Sequence, residues 1–226
     1  MIGERVLRIE DPRLLTGAGR YTADIGMPDQ AYVAFVRSPE AHAEVTSVDV
    51  TEAASADGVL AVLTGHDYES DGLRTLLTPS SLPDHLDPTQ PSLTSDELFP
   101  PPPALPIVVK RVRHVGEIVA LVVAETAAAA VDAAELVVVD FETLPSVSNA
   151  RLALADDAPR VWESGNLCVE AERGDTAVVA STFEEAAHVV RLSIHNQRVH
   201  GSPIEPRSAL ATFDTDSGRY ELYAPS

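Results

Sequence analysis

One stretch constrains the fold more than any other. "EIVALVVAETAAAAVDAAELVVVDFETLP" opens with an unbroken apolar run rich in β-branched residues, too short for a buried helix and bounded by charge. An alanine-rich segment follows, with Thr126 placed to cap a helix, and it leads directly into the second β-branched run "LVVVDFE". Strand, helix and strand in so few residues make a compact α/β unit. Such a unit buries its apolar faces only against further sheet.

The residues before it supply that sheet. "AYVAFVRS" reads as a strand, and "EVTSVDV" alternates as a second. "TEAASAD" reads as a short helix with Thr51 as N-cap and Gly58 as stop, and "GVLAVLTG" as a buried strand between glycines. From His66 to Pro106 the pattern breaks. A run such as "FPPPPALP" cannot be helix or central strand, because each proline lacks a backbone donor and has a fixed φ. The expectation for 67–106 is a surface excursion without long regular elements.

After Pro145 the composition shifts. "NARLALADDAPRVWESGNLC" is loop-like. "DTAVVASTFEEAAHVVRLSIHNQRVHG" predicts a helix capped by Asp175 or Thr176 and then a strand. "RSALATFDTDSGRYELYAPS" predicts a β-hairpin around "DTDSG".

Composition narrows the partners. The chain has 226 residues and a formal net charge of −19, a surface that repels phosphate backbones, so a nucleic-acid partner is not expected. A lone cysteine, Cys168, can neither close an intrachain disulfide nor build a cysteine-rich metal site, and it reads as a small apolar group rather than a nucleophile. No apolar run reaches the roughly 18 residues of a membrane span. A cytoplasmic location is expected.

Candidate chemistry is sparse. Gly17 and Gly19, in "RLLTGAGRYTADI", raise a phosphate-binding loop, but Thr22 stands where a dinucleotide fingerprint needs its third glycine, and no Gly-Lys-Ser/Thr is present. Tight backbone turns explain the glycines better. His195 and His200 are five apart, a spacing that suits neither a helical nor a strand metal pair. Glu205 and Arg207 in "SPIEPRSA" read as an ion pair, a backbone clamp or a pocket carboxylate. No G-x-S-x-G elbow occurs.

Taken together, the segments resemble the molybdenum-binding large subunit of the xanthine dehydrogenase family, which includes aldehyde oxidases, carbon monoxide dehydrogenase and bacterial N-heterocycle hydroxylases. "RIEDPRLLTGAGRYTADI", "AFVRSPEAHAEVTSVDVTEA", "GVLAVLTGHD", "VRHVGEIVALVVAETAAAAVDAAELVVVDFETLPSV" and "NQRVHGSPIEPRSALATFD" carry the resemblance in family order. It implies an α+β fold: an N-terminal arm at 1–14, an a/b hammerhead domain at 15–145, and an incomplete first molybdopterin-binding domain at 146–226. It also implies structural roles for Gly17, Gly19, Tyr21 and Asp24 in the first motif. Arg37, Ser38 and His42 are assigned to "RSxxAHA", Gly116 and Glu117 to "VGE", and Glu205 and Arg207 to "EPR".

The implied activity of the complete enzyme is oxidative hydroxylation of an N-heterocycle or aldehyde, or oxidation of carbon monoxide, with water as the oxygen source. The implied cofactor is molybdopterin, in its cytosine dinucleotide form, with iron–sulfur clusters and FAD on partner subunits. The glutamine, cofactor loop and base glutamate that the family places downstream are not in this chain. The expectation is therefore a scaffold and subunit-contact role, with no catalytic, cofactor-binding or metal residue of its own and no activity alone. The expected partners are the remainder of the molybdenum subunit, the iron–sulfur and flavin subunits, or another copy of the chain. The competing expectation is a stand-alone, non-catalytic binding or assembly module.

Overall fold

The computed structural model describes residue 3 and residues 8–73, 105–167, 174–197 and 199–225. They form two compact units, one of residues 31–189 and one combining 1–30 with 190–226.

The larger unit contains two three-stranded antiparallel sheets. In the first, β5 (Ile118–Ala124) lies between β1 (Tyr32–Arg37) and β3 (Val59–Thr64). In the second, β2 (Ala43–Asp49) lies between β4 (Arg111–Val112) and β6 (Val138–Thr143). The expected strand–helix–strand unit is present, with α4 (Ala127–Ala134) between β5 and β6 and the Thr126 side chain accepting the Ala129 amide at 3.1 Å. α4 lies against β1, β5 and β3.

Because β5 side chains alternate faces, Ala120 and Val122 join one core with Ala53, Ala133 and Val137, while Val119 joins a second with Ala43, Val108 and Val112. Alanine at these sites allows a close approach of helix to sheet. The register of β1 slips beside Val119: Val36 faces Ala120, but Arg37 faces Ile118.

Several local expectations are corrected. The helix α2 (Thr51–Ala54) starts at Thr51 rather than being capped by it; Val50 is at the N-cap without a side-chain bond, and the carboxylate of Asp49 accepts the Thr51 amide at 2.9 Å. A short helix, α3 (Gly65–Ser70), stands at the start of the excursion and is not one of the long regular elements excluded there; it is held by a capping box in which the Asp67 carboxylate accepts from the amide and hydroxyl of Thr64, each at 2.7 Å. Most of that excursion, residues 74–104, lies outside the described residues, as does Cys168.

Helix α5 (Thr176–Glu185) forms with Asp175 as its cap, accepting the Val178 amide at 2.9 Å. The strand expected after it does not form among the described residues. Val190, Leu192 and Ile194 have the alternation of a strand but are 91%, 81% and 76% exposed. Alternation alone makes no strand, because a ladder needs a partner backbone.

In the smaller unit, α1 (Asp11–Leu15) precedes the two glycines, and a 3₁₀ turn spans Thr22–Asp24. The predicted hairpin is present as β7 (Leu210–Asp214) and β8 (Arg219–Tyr223). Its turn is closed by Asp214, whose carboxylate accepts the Asp216 amide and the Ser217 hydroxyl, while Gly218 takes a left-handed φ of 68°.

Candidate functional site

The two glycines of the first motif have different tasks. Gly17 follows α1 with φ 73°, and the amide of Ala18 donates to the carbonyl of Arg13 at 2.9 Å, so this glycine terminates a helix. A phosphate loop requires the opposite polarity, with amides at a helix N-terminus. Gly19 lies close against Leu14: a Cβ there would come 2.7 Å from Leu14 Cδ2, and that side-chain tip would have to swing aside. Tyr21 and Asp24 then close the 3₁₀ turn, the Asp24 carboxylate accepting the Tyr21 amide at 2.9 Å and the Tyr21 carbonyl accepting the Asp24 amide at 3.0 Å.

The second and third motifs meet. Arg37 donates from Nη1 to the Gly116 carbonyl at 2.7 Å. Ser38 and the 116–117 turn exchange backbone bonds, with the Gly116 amide donating to Ser38 at 2.8 Å and the Ser38 amide to Glu117 at 2.9 Å. Gly116 takes φ 89°, which suits glycine. The Glu117 carboxylate accepts the Arg113 amide at 2.6 Å. Ser38 is buried, and its hydroxyl accepts the Glu40 amide at 3.0 Å.

His42, 3% exposed, donates from Nδ1 to the Pro145 carbonyl at 2.7 Å. The His42 carbonyl in turn accepts the Leu144 amide at 2.8 Å. The acceptor nitrogen, Nε2, is buried without a partner among the described residues. These side chains bond to backbone groups, which ties the loops around 38–42, 113–117 and 144–145 together.

The fourth motif, "EPR", belongs to the smaller unit. Glu205 does not pair with Arg207, which is exposed. Its Oε1 accepts the Thr22 amide at 3.1 Å and the Thr22 hydroxyl at 3.2 Å, so it is a backbone clamp. It also borders an open cleft of about 630 Å³ shared with Arg20, Tyr21, Thr22 and Tyr223. The reading of a pocket carboxylate and that of a clamp therefore meet in one residue. Thr22 stood out in the sequence only as the residue in place of a third glycine; its partner Glu205 lies 183 residues away in the chain.

A further pair also escaped the sequence reading. The Arg113 guanidinium is stacked on the Trp162 ring, and burial pulls its pKa below the usual value, opposed by the nearby Glu117 charge. Among the described residues no three His, Cys, Asp or Glu side chains gather as a metal donor set, and His195 and His200 are no exception. No helix among the described residues is long and apolar enough to cross a membrane.

Residues 16–145 match the family of the aldehyde oxidase and xanthine dehydrogenase a/b hammerhead domain, and residues 161–226 match the molybdopterin cofactor-binding domain. The chain is 36% identical to the nicotine 6-hydroxylase large subunit of Paenarthrobacter nicotinovorans, over 99% of this chain and 26% of that protein. Among solved structures, it superposes on the reconstituted CO dehydrogenase of Oligotropha carboxidovorans with a TM-score of 0.76 at 29% identity, covering 98% of this chain and 27% of that one. Quinoline 2-oxidoreductase of Pseudomonas putida 86 gives 0.69 at 32% identity, covering 98% and 26%. The chain thus spans about a quarter of the length of these relatives. With its matched hammerhead segment covering more than half of its residues, the chain belongs to the aldehyde oxidase and xanthine dehydrogenase a/b hammerhead family.

Proposed function

We propose that this chain is the N-terminal portion of the large subunit of a molybdenum-containing hydroxylase or dehydrogenase. In this reading, residues 15–145 are the hammerhead domain and 146–226 begin the first molybdopterin-binding domain. The observation that carries it is the succession of two family matches, hammerhead and then cofactor-binding, in one chain. The complete enzyme would hydroxylate an N-heterocycle or aldehyde, or oxidise carbon monoxide, taking oxygen from water. Molybdopterin, in its cytosine dinucleotide form, would supply the two-electron chemistry, and iron–sulfur and FAD subunits would carry the electrons away.

This chain's own part is scaffold and subunit contact. Its motif residues Arg37, Ser38, His42, Gly116 and Glu117 are spent on backbone bonds, which supports a structural role for them.

The test is to tag this chain in its native host, purify what assembles with it, and measure molybdenum and iron. The same material is then assayed for ¹⁸O transfer from labelled water to N-heterocycles and aldehydes, and for carbon monoxide oxidation. Expected are near-stoichiometric molybdenum and one of these activities in the assembly, and neither in the chain expressed alone. An assembly without molybdenum would overturn the reading in favour of a non-catalytic module. Near-stoichiometric molybdenum in the isolated chain would overturn the assignment of this chain to scaffold only.

A further inference from the structure

The family match assigns residues 16–30 to the hammerhead segment, yet these residues cluster with 190–226. Within that unit they are locally stiff. Gly17 ends α1, Gly19 packs close to Leu14, and Tyr21 and Asp24 lock a 3₁₀ turn through two reciprocal bonds. A segment so constrained moves as one piece, and one well-placed anchor can hold it.

Glu205 supplies that anchor. A single carboxylate oxygen takes both the amide and the hydroxyl of Thr22, at 3.1 and 3.2 Å, in a partly buried setting. Hydrogen bonds to a carboxylate are stronger than neutral ones, and partial burial limits competition from water. Residues on both sides of this bond line the cleft: Arg20, Tyr21 and Ile25 from the early segment, Tyr223 and Ala224 from the end of the hairpin. The Tyr21 hydroxyl is buried there and has no partner among the described residues.

We propose that residues 16–27 form a strap latched by Glu205, and that release of the Glu205–Thr22 latch lifts this strap and widens the cleft. Glu205 is then a positioning residue that acts through Thr22. This inference does not depend on the enzymatic reading above, since it rests only on contacts within the smaller unit.

The test uses the full chain and mild nitration with tetranitromethane, read by peptide mass spectrometry. Tyr220, 76% exposed, is the internal reference. In the wild type Tyr21 should react about tenfold more slowly than Tyr220. In Glu205→Ala the two rates should converge, with trypsin cleavage after Arg20 accelerated to a similar degree. Glu205→Gln keeps an acceptor and should restore much of the protection. Thr22→Val removes only the hydroxyl and should give an intermediate rate, which keeps the test alive if Glu205→Ala fails to fold. Unchanged Tyr21 reactivity in both Glu205→Ala and Thr22→Val would overturn the latch. So would faster hydrogen exchange in Ile118–Ala124 alongside Tyr21 exposure, because that pattern means general loosening.

Discussion

The guanidinium of Arg113 lies over the indole of Trp162, with Cζ 3.8 Å from the ring centroid. The contact joins the loop entering β5 to the 146–167 segment, and Nη1 also donates to the Arg111 carbonyl at 3.1 Å. A partly desolvated cation–π pair of this kind contributes about 0.5–2 kcal/mol. Arg113→Lys should forfeit most of that, since an ammonium lacks the planar face and the fork. Urea denaturation should show a lower midpoint for both Arg113→Lys and Trp162→Ala, and the double variant should lose less than the sum of the two.

Gly65→Ala should be costly although the substitution is small. A Cβ at this position would lie 2.7 Å from the carbonyl carbon of Val108 and 2.9 Å from the Cα of Val109. Neither is a side-chain tip that can swing aside. The backbone must shift, and overpacking of this kind costs about 1–3 kcal/mol. Chemical denaturation measures it directly.

Acid should unfasten the start of α3. The Thr64 hydroxyl and then the Thr64 amide, both donating to Asp67, hold its carboxyl below the ordinary 3.8. A depressed pKa in the folded state means stability that is present above the unfolded value and lost as pH falls through the folded one. Asp67→Ala should therefore lower the Tm at pH 7, and the gap to wild type should narrow steadily below pH 3.8. A gap that stays constant down to pH 2 would refute this account.

Hydrogen exchange should separate the two units. Strand β5 is hydrogen-bonded on both sides and carries buried residues from Val119 to Ala124, so its amides should be among the slowest. The hairpin has one ladder, and every residue of β8 is exposed, so 210–223 should exchange fast. The Phe213–Tyr220 ring pair, at 4.6 Å, is the hairpin's main side-chain tie. Tyr220→Ala should remove about 0.5–1.5 kcal/mol of local stability.

Much of the larger unit was legible because its determinants are local. The β-branched run of β5 and the threonine-capped alanine helix announce themselves within a few residues. The capping box of α3 is also written locally, in "TGHD", as a threonine followed three residues later by an aspartate. Strand β4 has only two residues, too few for any periodicity. The strand pattern at Val190–Ile194 misled because period reports which face is apolar, while a ladder depends on a neighbour elsewhere in the chain. Similarly, the motif residues were found by resemblance, but their contacts were not. Nothing near Glu205 in sequence points to Thr22, and nothing near Trp162 points to Arg113.

The two faces of β5 set a limit on how this scaffold can be altered. Val119 fills one apolar core and Ala120 the other, on opposite faces of the same strand. A protein engineer cannot enlarge one compartment by sliding or rethreading this strand, because the same movement empties the opposite one. Variation that survives in this region has to come in compensating pairs across the sheet, or be confined to the loops.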